Sequence, residues 1–503
     1  MNNNKVALII SICSIIIAFT VNEINLNQLR KDGIELRENQ TVKTSDEAAY
    51  LQPFKIFVET GKIYRNELEK YSSIVRSPGY GIIYGVIAKI FGLDKALFYL
   101  KLFQVLLFGF SVYCLFFISI KVVRSKKLAI LATCIYGLLP FSMGFLYYTL
   151  TESVTPALII LYVFFLLKAS DSDALIKKQL NYFFAALLFA YLFLLRPFLG
   201  IFGLAIPCFL YIDFYDSKKI IHFLKHFFIY GFVSISFMML WQIRNYFLIG
   251  KVTGLNPIYQ NELPGTFRKT HKAIWDFFKG WESSGAHFHG TIVPLWEKSA
   301  EGDTSGKNVD DIISKMPVEV VSYFSRSRLF SAFKNYQRST LFQTEYRKNH
   351  ELMPSVLPEI ERTVLDSFNQ LESEFKSHFW FRYHIITPLK VYKNLTFHSN
   401  LSLYIFQKTF RGNIFMEAFR LLCFFIYVSA FLLCLLFVFF SKNIKHISIF
   451  GLPILFYIFY LIYFQRGIEE RYTLPVLPLV IISAIFVWWE IIIRMLKFFG
   501  KKE

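Results

Sequence analysis

Long apolar runs alternate with short polar loops along most of this chain. A membrane-crossing helix needs roughly 20 apolar residues, or somewhat fewer with tilt and snorkelling. Ten runs qualify: 5–21, 96–120, 128–146, 152–168, 180–195, 198–215, 226–242, 415–440, 447–464 and 473–494. The pattern predicts an α-helical polytopic membrane protein of about ten transmembrane helices. Only Arg196-Pro197 separates the fifth and sixth runs, and the proline predicts a turn there. Pro475 and Pro478 predict a kink in the last span.

Lys and Arg gather in alternate loops. Segments 121–127, 168–179, 216–225, 441–446 and 494–503 are basic, whereas 146–151, 196–197 and 465–472 are poor in Lys and Arg. The positive-inside rule then places both termini in the cytoplasm and two large loops outside. The predicted organisation is an N-terminal membrane module (1–249) with a first outer loop (22–95), a large extracytoplasmic loop domain (250–414) and a C-terminal membrane module (415–503).

Both outer loops carry patterns of interfacial helices. After the break at Ser77-Pro78-Gly79, about twelve apolar residues end at Gly92; that is too short to span and predicts a helix along the surface. Segment 355–379 has helical periodicity, and 378–395 mixes aromatics with Arg and Lys as an interfacial helix does. The polar stretch 297–311 predicts a mobile loop.

Composition agrees with the membrane class: of 503 residues, 54% are hydrophobic and 19% aromatic, with 58 Phe. The net charge of +19 would suggest nucleic acid on a soluble protein, but here it resides largely in the short basic loops. The six cysteines lie in apolar runs without a CxxC pair, which argues against a disulfide framework or a zinc site. The N-terminal run resembles a signal peptide without a small-x-small cleavage site, so it reads as an uncleaved anchor. No P-loop or dinucleotide fingerprint occurs.

The ionisable residues that stand out fall at one predicted membrane face. In "TSDEAAY" (44–50), Thr44 and Glu47 have capping-box spacing, which would fix Glu47 and leave Asp46 free, with Tyr50 on the same helix face. Arg76 precedes the break at Pro78, Glu152 opens a span, and Arg196 joins two spans. Trp241 and Arg244 close the seventh span, and Arg471 and Tyr472 lie in the last outer loop. A carboxylate there suits a general base, and the arginines suit a phosphate. His287 and His289 are the candidates for a metal, and an exposed His pair is more often plain polar surface.

The order of an Asp-Glu followed by Tyr, a Pro-Gly break, "TES", "RP", "WQIRNYFLIG" and "RYTLPVLP" resembles the GT-C superfamily of integral-membrane glycosyltransferases. The nearest branch is the lipid A aminoarabinose transferase, protein O-mannosyltransferase and RgtA-like group. The resemblance covers 1–250 and 415–494 well and 250–414 poorly. It implies transfer of a sugar, with inversion, from a polyprenyl-phosphate donor to an extracytoplasmic lipid, glycan or protein acceptor in a cell (inner) membrane. It maps the catalytic carboxylate onto Asp46, with Glu47 beside it. Arg76, Arg244 and Arg471 become the donor-phosphate residues, and Tyr50, Glu152, Arg196 and Tyr472 substrate-site candidates. A monophosphate donor and Asp-Glu in place of Asp-x-Asp give no indication of a metal or other cofactor. The alternatives are a transporter or flippase, or a polymerase or ligase, for lipid-linked glycans. A transporter would be expected to show repeat symmetry and mid-membrane ionisable residues.

Overall fold

The computed structural model describes residues 2–499 apart from 34, 35, 38, 75, 216–219, 256–268, 350, 352–357, 398–410 and 468. The start of the basic loop 216–225, the first residues of 355–379 and the end of the basic tail therefore lie outside the described residues.

The described chain is helical, with one isolated bridge of extended backbone. Its first half runs α1 (Asn3–Lys31), α2 (Glu47–Thr60), α3 (Glu67–Ser72), α4 (Gly79–Phe91), α5 (Leu93–Val123), α6 (Lys126–Leu138), α7 (Thr155–Asp171), α8 (Leu175–Leu195), α9 (Ala205–Phe214) and α10 (Ile220–Ile249). Next come α11 (Lys269–Phe278), α12 (Gly285–Ala300), α13 (Gly306–Ser314), α14 (Val318–Phe324), α15 (Arg326–Lys348), α16 (Glu359–His378) and α17 (Thr387–Phe397). The chain closes with α18 (Ile414–Cys434), the continuous turns of α19 (Ile444–Gln465) and α20 (Leu477–Phe499).

Eight helices among the described residues are long and apolar enough to cross a membrane: α1, α5, α8, Pro197–Phe214 (which ends in α9), α10, α18, α19 and α20. The protein is thus multi-pass and all-helical, with fewer full-length spans than the ten apolar runs suggest. The difference lies in runs 128–146 and 152–168. The first ends as a helix at Leu138, and Pro140 begins a short 3-10 turn. The second is a 17-residue helix behind another 3-10 turn, Thr151–Ser153. Between them, residues 139–154 fold irregularly yet are mostly buried, with Phe141, Met143, Tyr147 and Val154 in the core. Hydropathy does not separate such a segment from a span, because both are apolar. Irregular backbone is tolerated at membrane depth only where protein surrounds it or it lines a cavity.

Several local predictions hold. α4 starts after Pro78 and stops at Gly92, whose φ of +82° suits glycine. A Cβ on Gly79 would lie 2.6 Å from the Leu195 Cα, so only glycine lets α4 begin against the end of α8. Arg196 is extended, with φ −146° and ψ 104°, and breaks α8 from the turns beginning at Pro197. The last span begins only at Leu477, so Pro475 precedes it and Pro478 sits in its first turn, where a proline does not kink a helix.

Residues of α11–α16 build a second core around Phe277, Ile292, Ile312, Phe333 and Phe368. The predicted mobile stretch 297–311 is instead folded. Asn308 donates to Asp303 at 2.8 Å and accepts from Lys298 at 3.0 Å, closing the turn between α12 and α13. After α16, Trp380, Phe381 and Leu389 remain exposed on the aromatic segment.

Candidate active site

The irregular segment 139–154 receives the first loop. Val42 pairs with Tyr148 as a parallel bridge: its N–H donates to the Tyr147 carbonyl at 2.9 Å, and Thr149 N–H donates back to the Val42 carbonyl at 3.0 Å. Thr44 Oγ1 donates to the Thr149 carbonyl at 3.1 Å. These bonds set the start of α2 beside "TES". Gln104, fully buried in α5, holds the same junction, donating to Tyr80 Oη at 2.7 Å and Ser153 Oγ at 2.5 Å.

The capping box does not form. Thr44 is spent on the bridge, and the N-cap is Asp46, whose side chain caps nothing. Glu47 forms a two-pronged pair with Arg37, at 3.0 and 2.7 Å, and Arg37 also donates to the Thr41 carbonyl at 2.9 Å. Glu47 therefore braces the first loop. Asp46 is the residue that reaches across the fold.

Its carboxylate joins two distant arginines. Arg76 Nη2 donates to Asp46 Oδ1 at 3.0 Å, and Arg471 Nη2 donates to Oδ2 at 3.1 Å. Arg471 Nε also lies 3.5 Å from Glu152 Oε1 and 2.6 Å from Glu469 Oε2. Arg196 Nη1 meets Glu152 Oε1 at 2.8 Å, and Thr151 Oγ1 donates to Glu152 Oε2 at 2.9 Å. The result is an alternating chain: Arg76, Asp46, Arg471, Glu152, Arg196. The Glu152 side chain is 2% exposed, whereas those of Asp46, Arg76 and Glu469 are 22%, 26% and 45% exposed, so the network is closed at Glu152 and opens towards Asp46 and Glu469.

Aromatic rings wall it. Arg76 lies 5.8 Å from the Tyr50 ring centroid, Arg196 lies 5.4 Å from that of Tyr472, and Tyr50 meets Tyr80 edge-on at 5.8 Å. Burial raises the Tyr50 phenol above its ordinary value. Burial, then Glu469, pushes Tyr472 up to about 12, so both phenols stay protonated at neutral pH. Burial works against the Arg471 charge, but Glu152, Glu469, Tyr472 and Asp46 outweigh it and hold its proton more tightly than in water.

Seven of the nine candidate residues thus share one region: Asp46, Tyr50, Arg76, Glu152, Arg196, Arg471 and Tyr472. Glu47 belongs to the Arg37 brace. Arg244 stands apart, donating to Asn245 Oδ1 at 2.7 Å and Ser73 Oγ at 3.3 Å, with its guanidinium 4.6 Å from the Trp241 ring centroid. It neighbours the network through Ser73, three residues before Arg76. The sequence reading missed Gln104, an amide set within an apolar run, and gave no role to Glu469.

The histidines lie elsewhere. His287 pairs with Glu282, while His289 stacks on His271, 6.1 Å between centroids, in the second core's domain. Among the described residues, no three His, Cys, Asp or Glu side chains are grouped to hold a metal ion.

No protein-family model and no curated protein matches the sequence. Among solved structures, the fold is similar to the crystal structure of ArnT from Cupriavidus metallidurans bound to undecaprenyl phosphate. The two are 10% identical over 93% of this chain and 77% of that one, with a TM-score of 0.34. A likeness that distant carries no argument about activity.

Proposed function

We propose that this protein is a GT-C-type membrane glycosyltransferase. In this reading it moves a hexosyl or pentosyl group from a polyprenyl-phosphate donor to a lipid, glycan or protein acceptor, with inversion, on the outer face of the cell membrane. The observation that carries the reading is the part-exposed Asp46 carboxylate, held between Arg76 and Arg471 at the open end of a buried ion network. The sequence pattern around those residues supplies the family resemblance.

The chemistry needs one base. The acceptor hydroxyl gives its proton to Asp46 as its oxygen bonds to the anomeric carbon. The bond from that carbon to the phosphate oxygen breaks, and the phosphate leaves with the electron pair. Polyprenyl phosphate is a stable leaving anion, so no general acid is required, in contrast to a glycosidase. At rest each Asp46 oxygen accepts from an arginine. An arriving phosphate competes for those N–H donors and, on taking them, frees a carboxylate oxygen for the acceptor. Arg244, set on Trp241, adds positive charge, so the arginines stabilise the departing phosphate and the proposal includes no metal.

The test is sugar transfer by the protein in liposomes, given polyprenyl-phosphate hexose or pentose donors and a membrane extract, beside folded Asp46→Asn. Wild-type transfer with loss of about 10²-fold or more in the variant is expected. Equal transfer would remove Asp46 as the base. An inert wild type with every donor would overturn the reading.

A further inference from the structure

We propose that Arg466 is a positioning residue: it clamps the outer helical domain to the last loop of the bundle and thereby sets Arg471 between Asp46 and Glu152. Its kinetic consequence rests on the proposed transfer reaction; its structural consequence does not.

Arg466 follows α19 and is 0% exposed. Nε donates to the Tyr463 carbonyl at 2.8 Å, Nη1 to the Lys279 carbonyl at 2.8 Å and Nη2 to the Tyr383 carbonyl at 2.9 Å. Tyr463 belongs to α19, Lys279 follows α11, and Tyr383 lies between α16 and α17. One guanidinium therefore joins a span to two separate parts of the outer domain. The rings of Tyr383 and Tyr463 lie 4.1 and 5.2 Å from it. Arginine stays charged when buried, and the desolvation cost of several kcal/mol is offset only while its donors are all met. Separating the domain from α19 would break the bonds to the Lys279 and Tyr383 carbonyls together, so this one side chain couples α19 to both parts of the domain.

The backbone carries the same contact onward. Arg466 has φ +56°, a region that non-glycine residues seldom adopt. A Cβ on the next residue, Gly467, would lie 2.8 Å from the Trp275 ring, and a Cβ on Gly285 would lie 3.4 Å from the Gly467 Cα. The chain thus turns directly against the outer domain. The 3-10 turn Glu470–Thr473 then presents Arg471 to the ion network. Arg466 thus anchors one end of the short segment whose other end carries Arg471, five residues on, which keeps its place beside Asp46 through its own bond at 3.1 Å. The outer domain, which the sequence resemblance covers least, becomes a part of the site's geometry rather than an appendage.

The test uses the full chain in lipid nanodiscs with Arg466→Gln, which removes the charge, and Arg466→Lys, which keeps it but reaches fewer carbonyls. Hydrogen exchange in Arg466→Gln is expected to rise about tenfold at 279–285 and also at 470–473, with α5 and α7 unchanged and Arg466→Lys in between. In transfer assays, kcat should fall on the order of tenfold to a hundredfold while the acceptor KM holds. Opening of 279–285 with 470–473 unchanged would overturn the proposal, as would faster exchange throughout α5 and α7. If wild type transfers no sugar, the reaction assignment fails and the exchange result alone decides the clamp. Should Arg466→Gln not fold, Gly467→Ala provides the milder lesion and the same readout.

Discussion

The two ends of the helical bundle each hold a buried carboxylate among cations, and they are built in opposite ways. Glu152 precedes α7, while Ser170 and Asp171 end it, so the ends are separated by the length of a 17-residue helix, about 25 Å. At the far end Asp213 closes α9. It takes Lys445, lies 3.9 Å from Lys178 and accepts from Tyr182 Oη at 2.6 Å, while Lys445 also donates to Ser170. Those contacts tie four segments together, and the Asp213 side chain is 7% exposed. At the candidate site the carboxylates stand on irregular backbone and at a helix start, the cations are arginines, and the network reaches the surface at Asp46. Burial of a charge in a membrane bundle therefore does not by itself mark a reaction site. The closed cluster fastens helix ends; the open one leaves a carboxylate part-exposed between forked donors of the kind that suit phosphate.

This contrast breaks most readily at Asp46. Asp46→Asn keeps the shape and removes the proposed base, so transfer should fall by about 10²–10⁴-fold, with a smaller loss of thermal stability than Asp213→Ala because Asp46 is part-exposed. Joint measurement of turnover and thermal unfolding checks it; an unfolded variant would make Asp46 another fastener. Asp213→Ala should do the reverse. Leaving Lys445 and Lys178 without their carboxylate should cost about 3–5 kcal/mol of stability, with turnover per folded molecule retained. Denaturation in detergent gives the first quantity, and active-fraction assays give the second.

Smaller effects sharpen the assignment within the first loop and the domain built from α11–α16. Glu47→Gln weakens a part-exposed pair with Arg37 and should cost about 0.5–1 kcal/mol, leaving transfer within a few-fold. A loss as large as that of Asp46→Asn would return Glu47 to the chemistry. His271, beside Tyr336 and His289, has its imidazole lowered to about 4 by burial and then by His289. Its unfolded value is 6.5, so between those values the unfolded chain takes a proton that the folded domain refuses. The stability linked to His271 is full above pH 6.5 and is lost as the pH falls towards 4. Thermal unfolding of the domain built from α11–α16 should therefore weaken over that window, and His271→Gln should flatten the slope.

How legible this molecule was depends on the range of the interaction. The break at Pro78, the stop at Gly92 and the turn at Arg196-Pro197 were readable because φ restrictions act within one or two residues. The Thr44-Glu47 spacing misled because a capping box competes with whatever else reaches its members. The Thr149 carbonyl claimed Thr44, and Arg37 claimed Glu47. Run 128–146 misled for a different reason: hydropathy measures how apolar a segment is, and turns wrapped in protein are as apolar as a helix facing lipid.

The sequence by itself determined that this chain is a helical membrane protein, because a bilayer penalises every unpaired backbone group and long apolar runs have few other solutions. It also determined which polar residues gather near the mouths of the spans. Only the tertiary structure decided their partners. Asp46 and Arg471 are 425 residues apart, and no local rule links them. Their meeting follows from the bridge at Val42, the close seat of Gly79 on α8 and the turn after Arg466, each a contact between segments far apart along the chain.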